Sequence, residues 1–127
     1  MKNILTKHYN TKLNINEIST DLFSGVDMVS VAVVITRDRL VEDIKFISVH
    51  EGLKNARLLS PKEYIKDDGR TYLILVNHPN GFLSPSNENA SLYKGLKLIT
   101  SNVDVIQVCK DKCVWVSIDT IFKFYSN

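Results

Sequence analysis

The sequence predicts an α/β fold in which a mixed central sheet is flanked by helices. Three observations point there. Two runs of β-branched and aliphatic residues, Val29–Ile35 (VSVAVVI) and Thr71–Val76 (TYLILV), are too continuous for one-sided strands. Runs of that kind suit strands covered on both faces. Other segments carry apolar residues at helical spacing, and the elements follow one another in the order α-β-β-α-β-α-β-β. Helices packed on both faces of a mixed sheet are the natural way to bury such a set.

The elements are taken in chain order. Ile15, Ile18, Leu22 and Phe23 recur at near-helical spacing, so a short helix is expected over Asn14–Phe23, with Asn14 or Asn16 as its N-cap and Gly25 as the punctuation after it. The first strand is Val29–Ile35. Arg37-Asp38-Arg39 makes a polar turn, and a partner strand lies within Leu40–His50, around Ile44–Val49. Gly52–Ser60 reads as loop. Pro61 opens a short helix to Lys66, capped by Ser60 and ended by Asp67-Asp68-Gly69-Arg70. After the strand Thr71–Val76 comes a polar loop, Asn77–Pro85. A helix follows over Ser86–Thr100, where Leu92, Leu96 and Ile99 share one face. Val103–Cys109 and Cys113–Ile118 are strands joined by the three-residue loop Lys110-Asp111-Lys112.

The bulk properties fit one soluble domain. The chain has 127 residues, 44% hydrophobic and 24% charged, which suits a globular domain and excludes disordered and low-complexity classes. Lys plus Arg number 16 against 14 Asp plus Glu, a net charge of +2. Near-neutrality argues against a dedicated nucleic-acid or membrane-surface binder. Two cysteines are too few for a disulfide scaffold. No apolar run approaches the roughly 20 residues of a membrane span, and the N-terminus lacks the apolar stretch of a signal peptide. A cytoplasmic location is expected. No P-loop, Rossmann glycine pattern or HExxH is present.

The informative segment is Val76-Asn77-His78-Pro79-Asn80-Gly81-Phe82-Leu83-Ser84-Pro85-Ser86-Asn87-Glu88-Asn89, which closes a buried strand and opens a helix. Strand ends followed by helix starts are common ligand sites. This segment resembles the JAB/JAMM (MPN) metalloprotease-like family, and most closely its RadC-like branch. The family signature there reads H-N-H-P-S-G, then P-S, then an Asp three residues after the Ser. His78 matches the second histidine, Ser86 falls eight positions after it, and Pro79, Gly81 and Pro85 match as well. Upstream, Gly52 and then Pro61-Lys62-Glu63 resemble the family's Gly and Pro-Arg-Glu. Downstream, Asn102–Ile106 resembles the strand after the long helix. The resemblance is strongest over residues 27–118 of a single JAB/MPN-like domain. It implies the family's three-layer, cytidine-deaminase-like architecture.

The departures from the signature bear on function. Active members hold zinc with two His and one Asp, leaving one position for water. Here Val76 stands at the first His position and Asn89 at the Asp position, leaving only His78. The family's general base, a Glu on the first strand, falls near Asp27, one methylene shorter. Ser86, which helps stabilise an oxyanion in active members, reverts without metal to a helix cap. The resemblance therefore implies a catalytically inactive, metal-free domain with no cofactor. Its expected role is a protein-interaction or inhibitor module of phage or mobile-element type, with another protein as partner and no membrane. Asn77, His78, Asn80, Ser86 and Asn89 are the binding candidates. Two alternatives stay open. One is a zinc-dependent isopeptidase or peptidase with a rearranged site using Asp27 and His78. The other is a DNA-associated accessory protein.

Some residues have plainer readings beside these. His78 also fits a loop histidine bonded to backbone, and Asn77 and Asn80 are good turn formers. His50-Glu51 fits a solvated strand end. Cys109 and Cys113 fit reduced strand cysteines as well as a cross-strand pair.

Overall fold

The computed structural model describes residues 2–26, 29–50, 63–77, 95–109 and 112–116. Two helices, α1 (Lys2–His8) and α2 (Ile15–Phe23), precede five strands: β1 (Val29–Arg37), β2 (Leu40–His50), β3 (Thr71–Asn77), β4 (Val103–Cys109) and β5 (Lys112–Val116). Residues 95–99 are helical as well. The strands form one mixed sheet in the order β2-β1-β3-β4-β5. Only β3 and β4 run parallel; every other neighbouring pair is antiparallel. Between the two parallel strands lies the helix at 95–99, as suits a crossover connection. No described helix is long and apolar enough to cross a membrane.

The continuous apolar runs are buried on both sides, and alternation along each strand sorts them into two clusters. Val31, Val33 and Ile35 of β1, Ile74 and Val76 of β3, and Val103 and Val105 of β4 pack on one face, with Ile65 and Leu96 over them. Ala32, Val34, Leu73, Leu75, Ile106 and Val108 pack on the other, under Ile18, Leu22 and Phe23 of α2. Phe23 meets Phe46 of β2 in a tilted ring contact with centroids 6.0 Å apart. The sheet is thus covered from above by the 95–99 helix and the 63–66 segment, and from below by α2 with Ile4 and Leu5 of α1.

Asn14 caps α2: its side chain accepts from the Glu17 backbone N–H at 3.1 Å. Gly25 follows the helix with φ of 74°, a left-handed backbone that glycine adopts without strain. Arg37 pairs with Leu40, so Asp38 and Arg39 are the central residues of a two-residue hairpin turn, with φ of 53° and 69°. Positive φ at both positions is the type I′ geometry whose twist matches a hairpin.

Several expectations need correction. The helix Lys2–His8 has no counterpart in the sequence reading. It is only 7 residues long, a length at which packing rather than propensity maintains a helix. The helix expected through Lys66 does not reach it: Glu63 is the last residue with 3₁₀ geometry, Tyr64 is in a turn, and Ile65 drops into the core with 1% exposure. The loop between the last two strands is shorter than expected, because Lys112 already pairs with Cys109, leaving positions 110 and 111 between them. The register also separates the two cysteines. Cys113 pairs with Val108 and Cys109 with Lys112, so the two cysteines are not directly opposed in the ladder.

Candidate functional site

The register brings the start of β1 beside the end of β3: Ser30 pairs with Asn77, and Val29 with His50 of β2. Asn77 also lies beside Val108, near the end of β4. One end of the sheet therefore gathers the carboxyl ends of β2, β3 and β4 with the first residues of β1. Carboxyl ends of parallel strands beside a change in strand direction are a recurrent place for ligand sites.

Of the sequence candidates, Val76 and Asn77 belong to this end. Val76 has 0% exposure and packs in the apolar cluster with Val31, Ile74 and Val105. It has no donor atom for a metal, and its surroundings are hydrocarbon. Position 76 therefore does not fit the zinc that the resemblance would place there. Asn77 is buried and donates its side-chain amide to Ser30 Oγ at 3.2 Å. The pair is a polar inclusion between two strands, at the point where β3 leaves the sheet. Asp27, His78, Asn80, Ser86 and Asn89 lie outside the described residues.

A second polar assembly sits at the opposite end, where β3 begins, and the sequence reading did not single it out. Arg70 Nε and Nη2 donate to Glu42 Oε2 and Oε1, both at 2.9 Å, while Nη1 donates to Asp68 Oδ2 at 2.8 Å. Tyr72 donates its hydroxyl to the same Asp68 oxygen at 2.8 Å. Arg37 adds a looser contact to Glu42 at 3.5 Å. Glu42, Asp68, Arg70 and Tyr72, with Asp43, Lys45 and Tyr64, line an open cavity of about 250 Å³. Lys45 lies 5.9 Å from the centre of the Tyr64 ring, within reach of a cation–π attraction.

The titration behaviour follows from this pairing. The Arg70 hydrogen bonds hold the Glu42 carboxyl below its ordinary range. At Asp68 burial pushes upward, but bonds from Tyr72 and Arg70 outweigh it and the net shift is downward. Burial, then the bond to Asp68, pushes Tyr72 up to about 12. Two guanidinium groups, Arg37 and Arg70, face the two carboxylates of Glu42 and Asp68, and none of Glu42, Asp68 and Arg70 shifts towards neutral pH. The cluster is built to hold structure: it fastens the 67–70 turn to the β1–β2 hairpin. Asp67 continues the link by accepting from Thr100 Oγ1 at 3.2 Å.

A third group joins the two N-terminal helices. His8 Nε2 lies 2.7 Å from Asp21 Oδ2, and Lys7 Nζ lies 3.0 Å from Asp21 and 3.1 Å from Glu17. The His8 hydrogen bond, then that of Lys7, holds the Asp21 carboxyl below its ordinary range. Spacing gives a partial signal here, since Glu17 and Asp21 are four residues apart on one helix. The pairing with Lys7 and His8 crosses a turn and is not visible in the sequence.

No protein-family model matches the sequence, and no curated protein matches it significantly.

Proposed function

We propose that the chain is a JAB/MPN-type domain whose zinc site has decayed, and that it acts by binding another protein, as an interaction or inhibitor module. The carrying observation is Val76, fully buried among hydrocarbon side chains where active members place a zinc ligand. A mixed sheet with both faces covered agrees with the resemblance, and so does the Ser30–Asn77 pair, which brings the family's motif strand beside its first strand. The RadC-like character of the motif adds a setting, that of phage and mobile elements. A surface that keeps the family's loop while losing the metal can still recognise what the loop touches.

A purified, untagged chain tests this by elemental analysis. Zinc content unaffected by His78→Ala, with no cleavage of isopeptide-linked substrates, is the expected result. Stoichiometric zinc that disappears with His78→Ala overturns it. On the binding side, a partner captured by the wild-type chain is expected to be released by Asn80→Arg.

One observation favours a second reading, the rearranged hydrolase. Position 27 lies three residues before Ser30, and position 78 directly follows Asn77, its pairing partner. Zinc held jointly by Asp27 and His78, and lost with either Asp27→Asn or His78→Ala, would favour that reading.

A further inference from the structure

We propose that His8, Glu17 and Asp21 form a divalent transition-metal site that clasps α1 to α2, with Lys7 as the resident cation that the metal displaces. One donor atom from each of the three residues lies within 4.8 Å of the others. Glu17 and Asp21 reach the same place because residues four apart share a helix face. His8 ends α1, and the chain between the helices is held by Thr11, whose backbone N–H donates to the His8 carbonyl at 3.1 Å, and by the Asn14 cap. The ligands therefore sit on a short, hydrogen-bonded helical hairpin.

A cation is already stabilised at this position. The Lys7 ammonium bridges Asp21 and Glu17 at 3.0 and 3.1 Å. The Lys7 side chain is 52% exposed, so it can swing into water, and exposed ion pairs of this kind are weak competitors. His8 selects the metal class. Its side chain is 5% exposed with Nε2 against Asp21. One imidazole nitrogen with two carboxylates suits zinc and its neighbours, whereas magnesium and calcium prefer oxygen alone. Donors on tetrahedral zinc stand roughly 3.3 Å apart, given bonds of about 2.0–2.1 Å. The 2.7 Å His8–Asp21 separation needs only a small opening, which side-chain rotation supplies. Glu17 is half exposed, so the fourth position opens to water, completing three protein ligands and one solvent.

The test uses the full chain, untagged and stripped with chelator, titrated with Zn²⁺ by calorimetry and followed by thermal unfolding, with Mg²⁺ as control. One zinc per chain, a raised unfolding midpoint and no response to Mg²⁺ are expected. Lys7→Met removes the competitor and binds about two- to fivefold tighter, the scale of an exposed ion pair. His8→Gln weakens binding at least about tenfold. Glu17→Gln, at an exposed position that folding does not depend on, weakens it as well. Absence of zinc uptake by Lys7→Met overturns the proposal, as does uptake unchanged in Glu17→Gln. Zinc retained in His78→Ala and lost in His8→Gln supports this site and leaves the decayed-site reading standing. The reverse pattern overturns both.

Discussion

Glu42 sits at an irregularity in the β1–β2 ladder and grips Arg70 with both carboxylate oxygens. Ile35 pairs with Asp43 and Thr36 with Val41, so Glu42 is the extra residue of a bulge. Bulges re-aim a side chain that regular pleating would place elsewhere. Here the carboxylate meets the guanidinium fork at two equal distances of 2.9 Å. Lys offers a point charge in place of a fork. Arg70→Lys is therefore expected to lower the unfolding midpoint at neutral pH.

That deficit depends on pH with a definite sign. Glu42 and Asp68 are depressed in the folded chain from ordinary values of 4.5 and 3.8. Their stabilisation is fully present above those values and is lost as pH falls through the depressed ones. Urea unfolding of wild type and Arg70→Lys should begin to converge as pH falls below about 4 and go on converging through the depressed values. Curves that stay parallel to pH 2 would contradict the role given to the two carboxylates.

Tyr72 gives the opposite limb. Its hydroxyl titrates at about 12 in the folded chain against 10.0 in the open. A raised value means stability present below pH 10 and lost as pH climbs towards 12. Tyr72→Phe should remove this part of the alkaline loss while leaving the slope below pH 9 as in the wild type. Stability measured at steps between pH 8 and pH 12 reads the difference.

Placing a histidine at position 76 should be costly. Val76→His places a larger, polar ring in a fully buried hydrocarbon pocket. The expected cost is about 2–4 kcal/mol by urea unfolding, from overpacking and an ill-partnered buried polar group. Zinc uptake at that position should not follow from this single change.

The β1–β2 turn offers a gain. Asp38 and Arg39 both hold positive φ, and Arg pays for it with a Cβ close to a carbonyl oxygen. Arg39→Gly should stabilise by about 0.5–1 kcal/mol, net of glycine's greater freedom when unfolded. A lower unfolding midpoint in that variant would mean that the turn is not type I′ in solution.

Two leucines two residues apart test the upper layer. Leu96 is 0% exposed and Leu98 is 87% exposed. Leu96→Ala should cost about 2–5 kcal/mol as a cavity opens over the sheet, and Leu98→Ala should stay within about 0.5 kcal/mol of wild type. Equal effects would contradict the orientation of the 95–99 helix.

Much of the fold is legible in short-range pattern. Val103–Cys109 coincides with a strand of the same bounds, and Asn14 is the cap its side chain predicts. The two-faced burial of Val31 to Ile35 follows from an apolar run with no polar alternation. What escapes the sequence depends on distant contacts. Arg70 finds Glu42 across 28 residues and His8 finds Asp21 across 13, and neither pairing leaves a local trace. Helix α1 is hard to foresee for the same reason, because its apolar face, Ile4 and Leu5, is justified only by the cluster it joins. Within the candidate site, that Val76 offers no donor atom to a metal is readable from residue type alone. The buried amide–hydroxyl link of Asn77 to Ser30 requires the strand register.

The segment between α1 and α2 does more than join helices. Asn10 donates to the Val41 carbonyl at 2.7 Å, Val41 donates back to Thr11 at 2.9 Å, and Leu13 donates to the Arg39 carbonyl at 3.1 Å. Lys12 forms an antiparallel bridge with Leu40. β2 is an edge strand of the sheet, and unpaired edges are templates for aggregation. The N-terminal strap occupies the first positions of that edge, and the bulge with Glu42, Asp43 and Lys45 roughens the next ones. The sheet edge where another chain could pair is thus closed in part by the protein's own N-terminal segment.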